Sequence, residues 1–449
     1  DFGSYWAREY ALAALPKVCR TGTHLFQFID TIKTAKLRGW GRSLRRAIAQ
    51  WYLDKDPRSV AYQALKYAQR EGWSHRDLLR LAHPKVSPYT ECNKQHQAIF
   101  HYITKGWPGV GNEPHPEEAL RQIWAVEKLK RDIDPHTAIR LIIEYSLTRE
   151  MIPSELLNNP GVWAALLEEM PMTAILRNLA TMSKVGLLTP LSNASTLIIT
   201  RLYDKDRLKA ARIHPLAVLI ALNTYASGHG IRSSATWKPD QNIVTALDTA
   251  FYLAFDAVEP TSKRLFLGLD ISGSMDSGTI AGLPGVTPRV ASAAMAMVTA
   301  AVEPQHFLAG FTSSSSNRWG ILGRSNILNG LTPFNIAPKT RLDSVCRNLQ
   351  AMPMGDTDCS IPIRYAIDNN LPVDAFITYT DNESWVGPEH VIEALDRYRQ
   401  KTGIAAKAIA VGMTATQHSV LPENDSLCLN VVVLATDTPQ VMSQFIKGI

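Results

Sequence analysis

The chain has 449 residues, of which 45% are hydrophobic and 20% are charged. These values are typical of a globular protein of two or three domains, and no run of about 18 apolar residues predicts a membrane span. The net charge of +6 is uneven, because residues 1–100 hold 17 Lys and Arg against 8 Asp and Glu. Such a local excess suggests a polyanionic partner such as nucleic acid, although solvated helix faces alone also produce it.

The cysteines and the first residues bear on the cellular location. The five cysteines are scattered and include no C-x-x-C pair. An odd, scattered set favours reduced thiols over a disulfide framework, so we expect a cytoplasmic protein. The chain begins DFGSYWAREY, without an initiator Met and without the pattern of a signal peptide. We therefore interpret it as a fragment or a processed form.

Residues 1 to about 255 have the pattern of successive short helices. In WGRSLRRAIAQWYLDK, the apolar residues Trp40, Leu44 and Ile48 recur at a spacing near 3.6. The stretch SVAYQALKYAQREG repeats this pattern up to Gly72, which predicts one helix that includes both Lys66 and Arg70. Pro or Gly separates most of the later stretches. The pattern predicts an array of helical repeats, with a compact helical bundle as the alternative.

The segment LKYAQREGWSHRDLLRLAHPKVSP is rich in basic and aromatic residues. Lys66 and Arg70 are four residues apart, so we expect them to share a helix face. The other candidate RNA-binding residues in this region are Arg42, Arg45, Arg46, Arg76, Arg80, His83 and Lys85. Arg and Lys contact phosphates, whereas His and Trp stack on or hydrogen-bond to exposed bases. The alternative is a solvated face over core aromatics, and we expect Trp73 to pack rather than to stack on a base.

The pattern changes at a polar hinge, residues 259–263, which divides the chain into predicted domains 1–258 and 259–449. Beyond the hinge, helices alternate with five apolar strand candidates, namely RLFLGLDIS, HFLAGFTS, DAFITYTD, AKAIAVGM and CLNVVVLAT. This alternation predicts an α/β doubly wound domain whose parallel sheet is covered on both faces. In such domains, ligands bind at the carboxyl ends of the strands, where the strand order reverses.

Polar side chains follow two of these strands. Asp270, Ser272 and Ser274 alternate at the end of the first strand, Asp381 follows ITYT, and Thr357 lies between them on the loop MGDTDCSIP. Alternate residues of an extended loop point the same way, so their oxygens can share one ion. Two carboxylates and three hydroxyls are hard donors that suit Mg²⁺ or Mn²⁺ better than zinc. The five residues therefore predict a divalent-cation site.

Other interpretations of the same residues are weaker. A nucleophilic serine of the elbow type needs G-x-S-x-G, whereas residues 270–274 read D-I-S-G-S, and neither His390 nor His418 is placed at a strand end. The serines and aspartates could instead be caps of helix N-termini, where both types are favoured. A nuclease would need a base near the ion, and none is evident beyond the coordinating carboxylates.

The arrangement D-x-S-x-S with Thr357 and Asp381 resembles the metal-ion-dependent adhesion site of von Willebrand factor A domains. Several long stretches, among them CRTGTHLFQFIDTIK, KYAQREGWSHRDLLRLAHPK and KAARIHPLAVLIALNTYASGHGIR, occur in the order typical of the Ro autoantigen family. Members of this family combine a TROVE module with a von Willebrand A domain. The resemblance implies a ring of HEAT-like helical repeats that the A domain closes.

The resemblance also implies a function. Family members are non-catalytic scaffolds that bind small noncoding Y RNA on the outer ring and single-stranded ends of misfolded or precursor RNA in the central hole. The family's Y RNA surface maps onto Lys66, Arg70 and His83, and the remaining cations are our extension of it. An exoribonuclease partner, a monomeric state and no membrane association are expected.

For the A domain, the resemblance implies an ion with one open position that an acidic side chain of a partner completes. The loop around Thr357 reads G-D-T-D, so Asp356 adds a negative charge beside the site. The alternative function is an adhesion-type, cation-dependent protein-binding module without an RNA role.

Overall fold

The structure, a computed structural model, describes residues 5–35, 40–86, 90–107, 114–230, 234–278, 280, 285–313, 330–337, 339–353, 355–381, 388–414, 420–432, 434 and 436–448. It contains two compact units, residues 1–170 and residues 171–449. All five cysteines lie in the described ranges and are free thiols. None of the helices in these ranges has the length and apolar content needed to cross a membrane.

In its described residues, the first unit is helical apart from one short hairpin and the loops between its elements. Its described helices are α1 (Tyr5–Ala13), α2 (Leu15–Val18), α3 (Gly22–Thr34), α4 (Arg42–Leu53), α5 (Pro57–Lys66), α6 (His75–Ala82), α7 (Glu91–Lys105), α8 (Glu118–Arg131), α9 (Pro135–Tyr145) and α10 (Pro160–Glu168). Local sequence explains their starts. The side chain of Asp56 accepts hydrogen bonds from the backbone N–H groups of Arg58 and Ser59, and Pro57 occupies the first helical position of α5.

The predicted helix through Lys66 and Arg70 is wrong in its last turn. Helix α5 ends at Lys66, and the chain then forms a hairpin of β1 (Gln69–Arg70) and β2 (Trp73–Ser74). The two turn residues, Glu71 and Gly72, have φ angles of 52° and 72°. Positive φ at both positions is the geometry of the tight turn that matches strand twist in two-residue hairpins. Lys66 and Arg70 therefore do not share a helix face.

The second unit begins with five helices and continues into an α/β domain. Its described helices are α11 (Met172–Lys184), α12 (Asn193–Tyr203), α13 (Lys205–Ala210), α14 (Pro215–Ala226), α15 (Gln241–Leu253), α16 (Pro288–Val302), α17 (Leu342–Gln350), α18 (Ile361–Asp368), α19 (Val391–Thr402) and α20 (Thr438–Lys447). The hydroxyl of Tyr252 on α15 accepts a hydrogen bond from the N–H of Leu342 (3.1 Å), which joins the helices to the α/β domain. The domain boundary at residues 258 and 259 stays a prediction.

One six-stranded sheet forms the centre of this domain. Its strands are β3 (Leu265–Asp270), β4 (His306–Phe311), β5 (Leu331–Pro333), β6 (Ala375–Thr380), β7 (Lys407–Gly412) and β8 (Cys428–Val431), in the order β5-β4-β3-β6-β7-β8. The five strands that the sequence predicted are parallel, and β5 adds an antiparallel edge that the sequence analysis missed. The predicted succession of helices and then a doubly wound α/β domain is confirmed.

The strand order places the candidate site. Strand β3 is followed by β4 on one side of the sheet, whereas β6 is followed by β7 on the other side. The order therefore reverses between the neighbours β3 and β6, which are buried along their whole length. A crevice forms at such a reversal, outside the carboxyl ends of the two strands. Asp270 is the last residue of β3, and Asp381 directly follows β6.

Candidate functional site

Asp270 is the centre of a hydrogen-bonded cluster at the end of β3. It is 1% exposed. Its Oδ1 accepts a hydrogen bond from the backbone N–H of Ser272 (2.8 Å), and its Oδ2 accepts from the hydroxyls of Thr357 (3.1 Å) and Thr380 (2.9 Å). The structure thus brings the Thr357 loop to β3, 87 residues away in sequence, as the strand-end pattern predicted. Thr380 was not among the predicted site residues, although it directly precedes Asp381.

The remaining predicted ligands lie around this carboxylate. The hydroxyls of Ser272 and Ser274 are 3.0 Å apart. A short 3₁₀ turn, Gly273–Asp276, follows Ser272, so the two serines do not lie on the extended loop that the sequence predicted. Asp381 is 2% exposed. Burial raises the pKa of Asp270, and the negative charge of Asp381 raises it further, against the hydrogen bonds from Ser272 and Thr380. Two buried carboxylates that repel each other form an arrangement that a divalent cation would neutralise.

Arg289 on α16 supports the loop that carries the two serines. It is 1% exposed, and its Nη2 donates to the backbone carbonyl of Ser272 (3.0 Å) while its Nε donates to Asp276 (2.6 Å). Burial raises the pKa of Asp276, but the hydrogen bonds from Arg289 and Gln350 outweigh this effect and hold that pKa below its usual value. Arg289 was not among the predicted site residues. The sequence indicates it only as a single arginine at the start of the largely apolar helix RVASAAMAMVTAAV.

The donor set fits a hard cation. Within the described ranges, no three His, Cys, Asp or Glu side chains are grouped closely enough to hold a metal ion, so this site depends on hydroxyls and two carboxylates. Hydroxyl and carboxylate oxygens are the ligands of Mg²⁺ and Mn²⁺ rather than of zinc. Asp356 is exposed, and its backbone carbonyl accepts hydrogen bonds from the N–H of Ser313 (2.5 Å) and the hydroxyl of Thr312 (3.1 Å). Asp356 directly precedes the buried Thr357 in the chain.

His390 precedes α19 and is its N-terminal cap residue. His418 lies outside the described residues.

A second candidate site lies in the first unit. We call it the cationic surface, and its members are Arg42, Arg45, Arg46, Lys66, Arg70, Arg76, Arg80, His83 and Lys85. All of them except the half-buried Lys66 are exposed. They are carried by α4, the end of α5, the hairpin, α6 and the residues after α6. Helix α4 packs against α6, so the arginines of these two helices belong to one packed layer.

Buried aromatic residues support this layer. His75, the first residue of α6, is 2% exposed, and its Nδ1 lies 2.7 Å from the hydroxyl of Tyr52 on α4. Its ring contacts those of Phe26 and Trp51, with centroids 4.8 Å and 6.2 Å away. Burial lowers the pKa of His75 to about 4. His75 is therefore a neutral core residue, which places it outside the set of exposed groups that could contact RNA.

Lys66 differs from the other cations in being held in place. Its Nζ donates to the hydroxyl of Tyr62 (2.7 Å) and lies over the rings of Tyr62 and Tyr67, 5.1 Å and 5.5 Å from their centroids. Burial alone would lower the pKa of Lys66, but the hydrogen bond to Tyr62 and the charge of Glu150 raise it above the usual value. The ammonium group is therefore charged and positioned before any ligand arrives.

The expectation that Trp73 packs against neighbouring side chains is met only in part. Its ring packs against that of Trp40, with the centroids 5.7 Å apart, and Nζ of Lys33 lies 5.4 Å from its centre. The side chain is nevertheless only half-buried. Trp73 therefore packs on one neighbour and also presents surface to solvent.

Comparison with known proteins agrees with these features. Residues 4–113 and 113–225 match the family model of the TROVE domain, and residues 264–446 match that of the Ro60 vWA domain. The protein thus belongs to the class in which a TROVE helical module is followed by a von Willebrand A-type domain. In this chain, that domain has a cluster of carboxylate and hydroxyl oxygens at its strand ends. The chain belongs to the Ro60 family.

Individual relatives resemble nearly the whole chain. The RNA-binding protein RO60 of Deinococcus radiodurans is 38% identical over 98% of this chain and 78% of its own length. The RNA-binding protein RO60 of Caenorhabditis elegans is 34% identical over 98% of this chain and 73% of its own length. The crystal structure of the Deinococcus radiodurans Ro (RSR) protein matches with a TM-score of 0.83 and 37% identity, over 99% of this chain and 84% of that one.

Proposed function

We propose that this protein is a non-catalytic RNA-binding scaffold of a ribonucleoprotein. The observation that carries the proposal is the cationic surface, where eight exposed basic side chains project from α4, the hairpin, α6 and the residues after it. Exposed Arg and Lys side chains contact phosphates through charge and need no fixed geometry to do so. The similarity to two proteins named RNA-binding protein RO60 supports the same conclusion.

The finer proposal concerns which RNA binds where. A small noncoding, Y-like RNA binds the cationic surface, with Lys66, Arg70 and His83 as its central contacts. Single-stranded ends of misfolded or precursor RNA bind in the central hole of the ring that the family resemblance implies. The scaffold would thereby support RNA maturation, decay or quality control in the cytoplasm, as a monomer that works beside an exoribonuclease.

The α/β domain has a separate role in this proposal. Asp270, Ser272, Ser274, Thr357 and Asp381 would hold Mg²⁺ or Mn²⁺. When bound, the ion would supply a coordination position for an acidic side chain of a protein partner. Arg289 orients the loop, and the hydroxyls of Thr357 and Thr380 orient the Asp270 carboxylate.

The alternative function, a cation-dependent protein-binding module without an RNA role, is not favoured. It would leave the helical region without a purpose, whereas the TROVE family match accounts for residues 4–225.

The test is RNA binding by the full chain, measured by filter binding with labelled single-stranded RNA. We expect affinity to fall by orders of magnitude between about 50 mM and about 200 mM salt, because each phosphate contact releases counterions. The same RNA incubated with the protein and Mg²⁺ should stay intact on a denaturing gel. Salt-independent binding would contradict the charge-based interface, and cleaved RNA would contradict the absence of catalysis.

A further inference from the structure

Trp73 lies beside a cation that the proposed function already uses. In the hairpin, Arg70 is directly opposite Trp73. Side chains of directly opposite residues project from the same face of a two-stranded ribbon, with their Cβ atoms about 5 Å apart. The half-buried indole and the exposed guanidinium therefore occupy one patch of surface.

A shallow concavity adjoins this pair. Lys33, Arg80 and Leu81 line it together with Trp73. Nζ of Lys33 lies 5.4 Å from the centre of the Trp73 ring, and the Trp40 ring packs on Trp73 with a 58° tilt. A half-buried indole that contacts a second indole thus lies at the surface of the first unit, with the exposed side chain of Lys33 over its ring and two more cations, Arg70 and Arg80, nearby. A base that stacks on Trp73 would displace the Lys33 side chain from the ring.

Two acidic residues, Glu71 and Asp77, also line the concavity and balance the charges of Lys33 and Arg80. The carboxylate of Asp77 accepts hydrogen bonds from the backbone N–H (3.0 Å) and the hydroxyl (2.6 Å) of Ser74, so it serves the cap of α6. Glu71 lies at the tip of the hairpin turn. Arg70, which is exposed and lies opposite Trp73, leaves the patch with one excess positive charge, and this favours an anionic ligand over a cationic one such as a methylated lysine.

We propose that Trp73, backed by Trp40, is a stacking site for one unpaired nucleobase, with Arg70, Lys33 and Arg80 contacting the adjoining phosphates. This inference rests on the proposed RNA-binding function and deepens it. A base in a continuous duplex is stacked on its neighbours and cannot reach an indole, whereas a looped, bulged or terminal base can. The cationic surface would then distinguish RNA with an unpaired base at this point from a plain duplex.

The test uses the full chain with an oligouridine of about ten nucleotides and a matched oligomer of the same length that lacks bases. Trp73→Leu should bind oligouridine about 10-fold more weakly than the unsubstituted protein, since one base–aromatic stack contributes about that factor. The two proteins should bind the abasic oligomer equally, because the phosphate contacts remain. Trp73→Phe should restore most of the lost affinity, as a smaller aromatic ring still stacks.

Trp107 provides a matched control. It is also half-buried in the first unit, where its ring contacts Tyr102 and His115 at 6.1 Å and 5.4 Å. Trp107→Leu should leave the affinity for oligouridine unchanged. If Trp73→Leu loses its folded circular-dichroism spectrum, Trp73→Phe carries the test, with a smaller loss that again disappears on the abasic oligomer.

The outcomes separate the two proposals. Equal affinity of Trp73→Leu and the unsubstituted protein for oligouridine would overturn the stacking site and leave the RNA-binding function standing. An equal loss on both oligomers would also overturn it, because the effect would then not depend on a base. Failure of the unsubstituted protein to bind either oligomer would overturn both proposals.

Discussion

The cationic surface and the strand-end cluster are both built from polar side chains, but they differ in nearly every physical respect. Eight of the nine residues in the cationic surface are exposed, and all of these except His83 have long flexible side chains. In the cluster, Asp270 and Asp381 are 1% and 2% exposed, and the Asp270 carboxylate accepts three hydrogen bonds. The difference shows that the cationic surface offers summed charge, whereas the cluster offers a fixed geometry.

This contrast determines how each region responds to substitution. Screened interactions between exposed charges are individually weak, so removing one cation leaves the others in place. A buried set of predicted ligands has no spare members, and specific hydrogen bonds orient the Asp270 carboxylate at its centre. Substitutions in the cluster should therefore have all-or-none effects, and substitutions in the cationic surface should have graded effects.

The largest expected effect is that of Asp270→Asn on cation binding. The neutral amide removes one of the two negative charges that would attract the ion, so we expect Mn²⁺ binding to be lost. For the unsubstituted protein, free Mn²⁺ at about 100 times its Kd should add about 2.7 kcal/mol to the free energy of unfolding, which is measurable as a rise in Tm. The substituted protein should show no such rise.

Asp368→Asn is the matched control, because Asp368 is an exposed aspartate at the end of α18 in the same domain. It should retain the full rise in Tm with Mn²⁺. An equal rise in Asp270→Asn would show that the cluster does not hold the ion.

The next effect concerns the layer that carries the cations. His75 has a pKa of about 4 in the folded protein and an ordinary value of 6.5 when unfolded, because burial disfavours its charged form. Between these pH values the unfolded chain binds more protons, so stability is fully present above about pH 7 and falls as the pH is lowered towards 4. Between pH 7 and pH 4.5 this difference corresponds to a loss of about 2 kcal/mol in the free energy of unfolding.

Urea unfolding at a series of pH values measures this dependence, with circular dichroism as the signal. His75→Gln removes the titrating group, so the substituted protein should lose less stability between pH 7 and pH 4.5 than the unsubstituted one, whatever its stability at pH 7. Parallel pH profiles for the two proteins would contradict the role assigned to His75.

The smallest of the three effects concerns RNA binding by the cationic surface, where removing two of the nine basic residues should weaken binding only partly. We expect Lys66→Ala combined with Arg70→Ala to weaken binding of a Y-like RNA by about 10-fold at moderate salt and to lower the salt slope by about 2, one for each phosphate contact. The fold should be intact, because Arg70 is exposed and Lys66 is half-buried. Filter binding across a salt series measures both quantities.

Lys17→Ala combined with Lys105→Ala is the charge-matched control, since both lysines are exposed in the same unit but lie outside the cationic surface. It should leave the salt slope nearly unchanged. Equal slopes for the two double variants would mean that charge in general, rather than the cationic surface, binds the RNA.

Much of the fold could be predicted because periodic patterns are local. The spacing in RLFLGLDIS and its successors predicted the parallel strands, and the Asp270 and Asp381 strand ends met because carboxyl ends of parallel strands lie at one edge. The hairpin could not be predicted in this way. The apolar spacing continues past Lys66, and the turn at Glu71 and Gly72 depends on backbone angles that Glu adopts rarely.

The sequence by itself determined the succession of helices and strands, the basic bias of the first hundred residues and the oxygen donors at two strand ends, since composition and periodicity record burial and charge directly. The tertiary structure alone decided that Arg289 holds the Ser272 loop, that Thr380 shares the Asp270 carboxylate and that Arg70 lies opposite Trp73. Each of these contacts joins residues through strand pairing or packing, and no local pattern specifies which distant side chain will fill the space beside another.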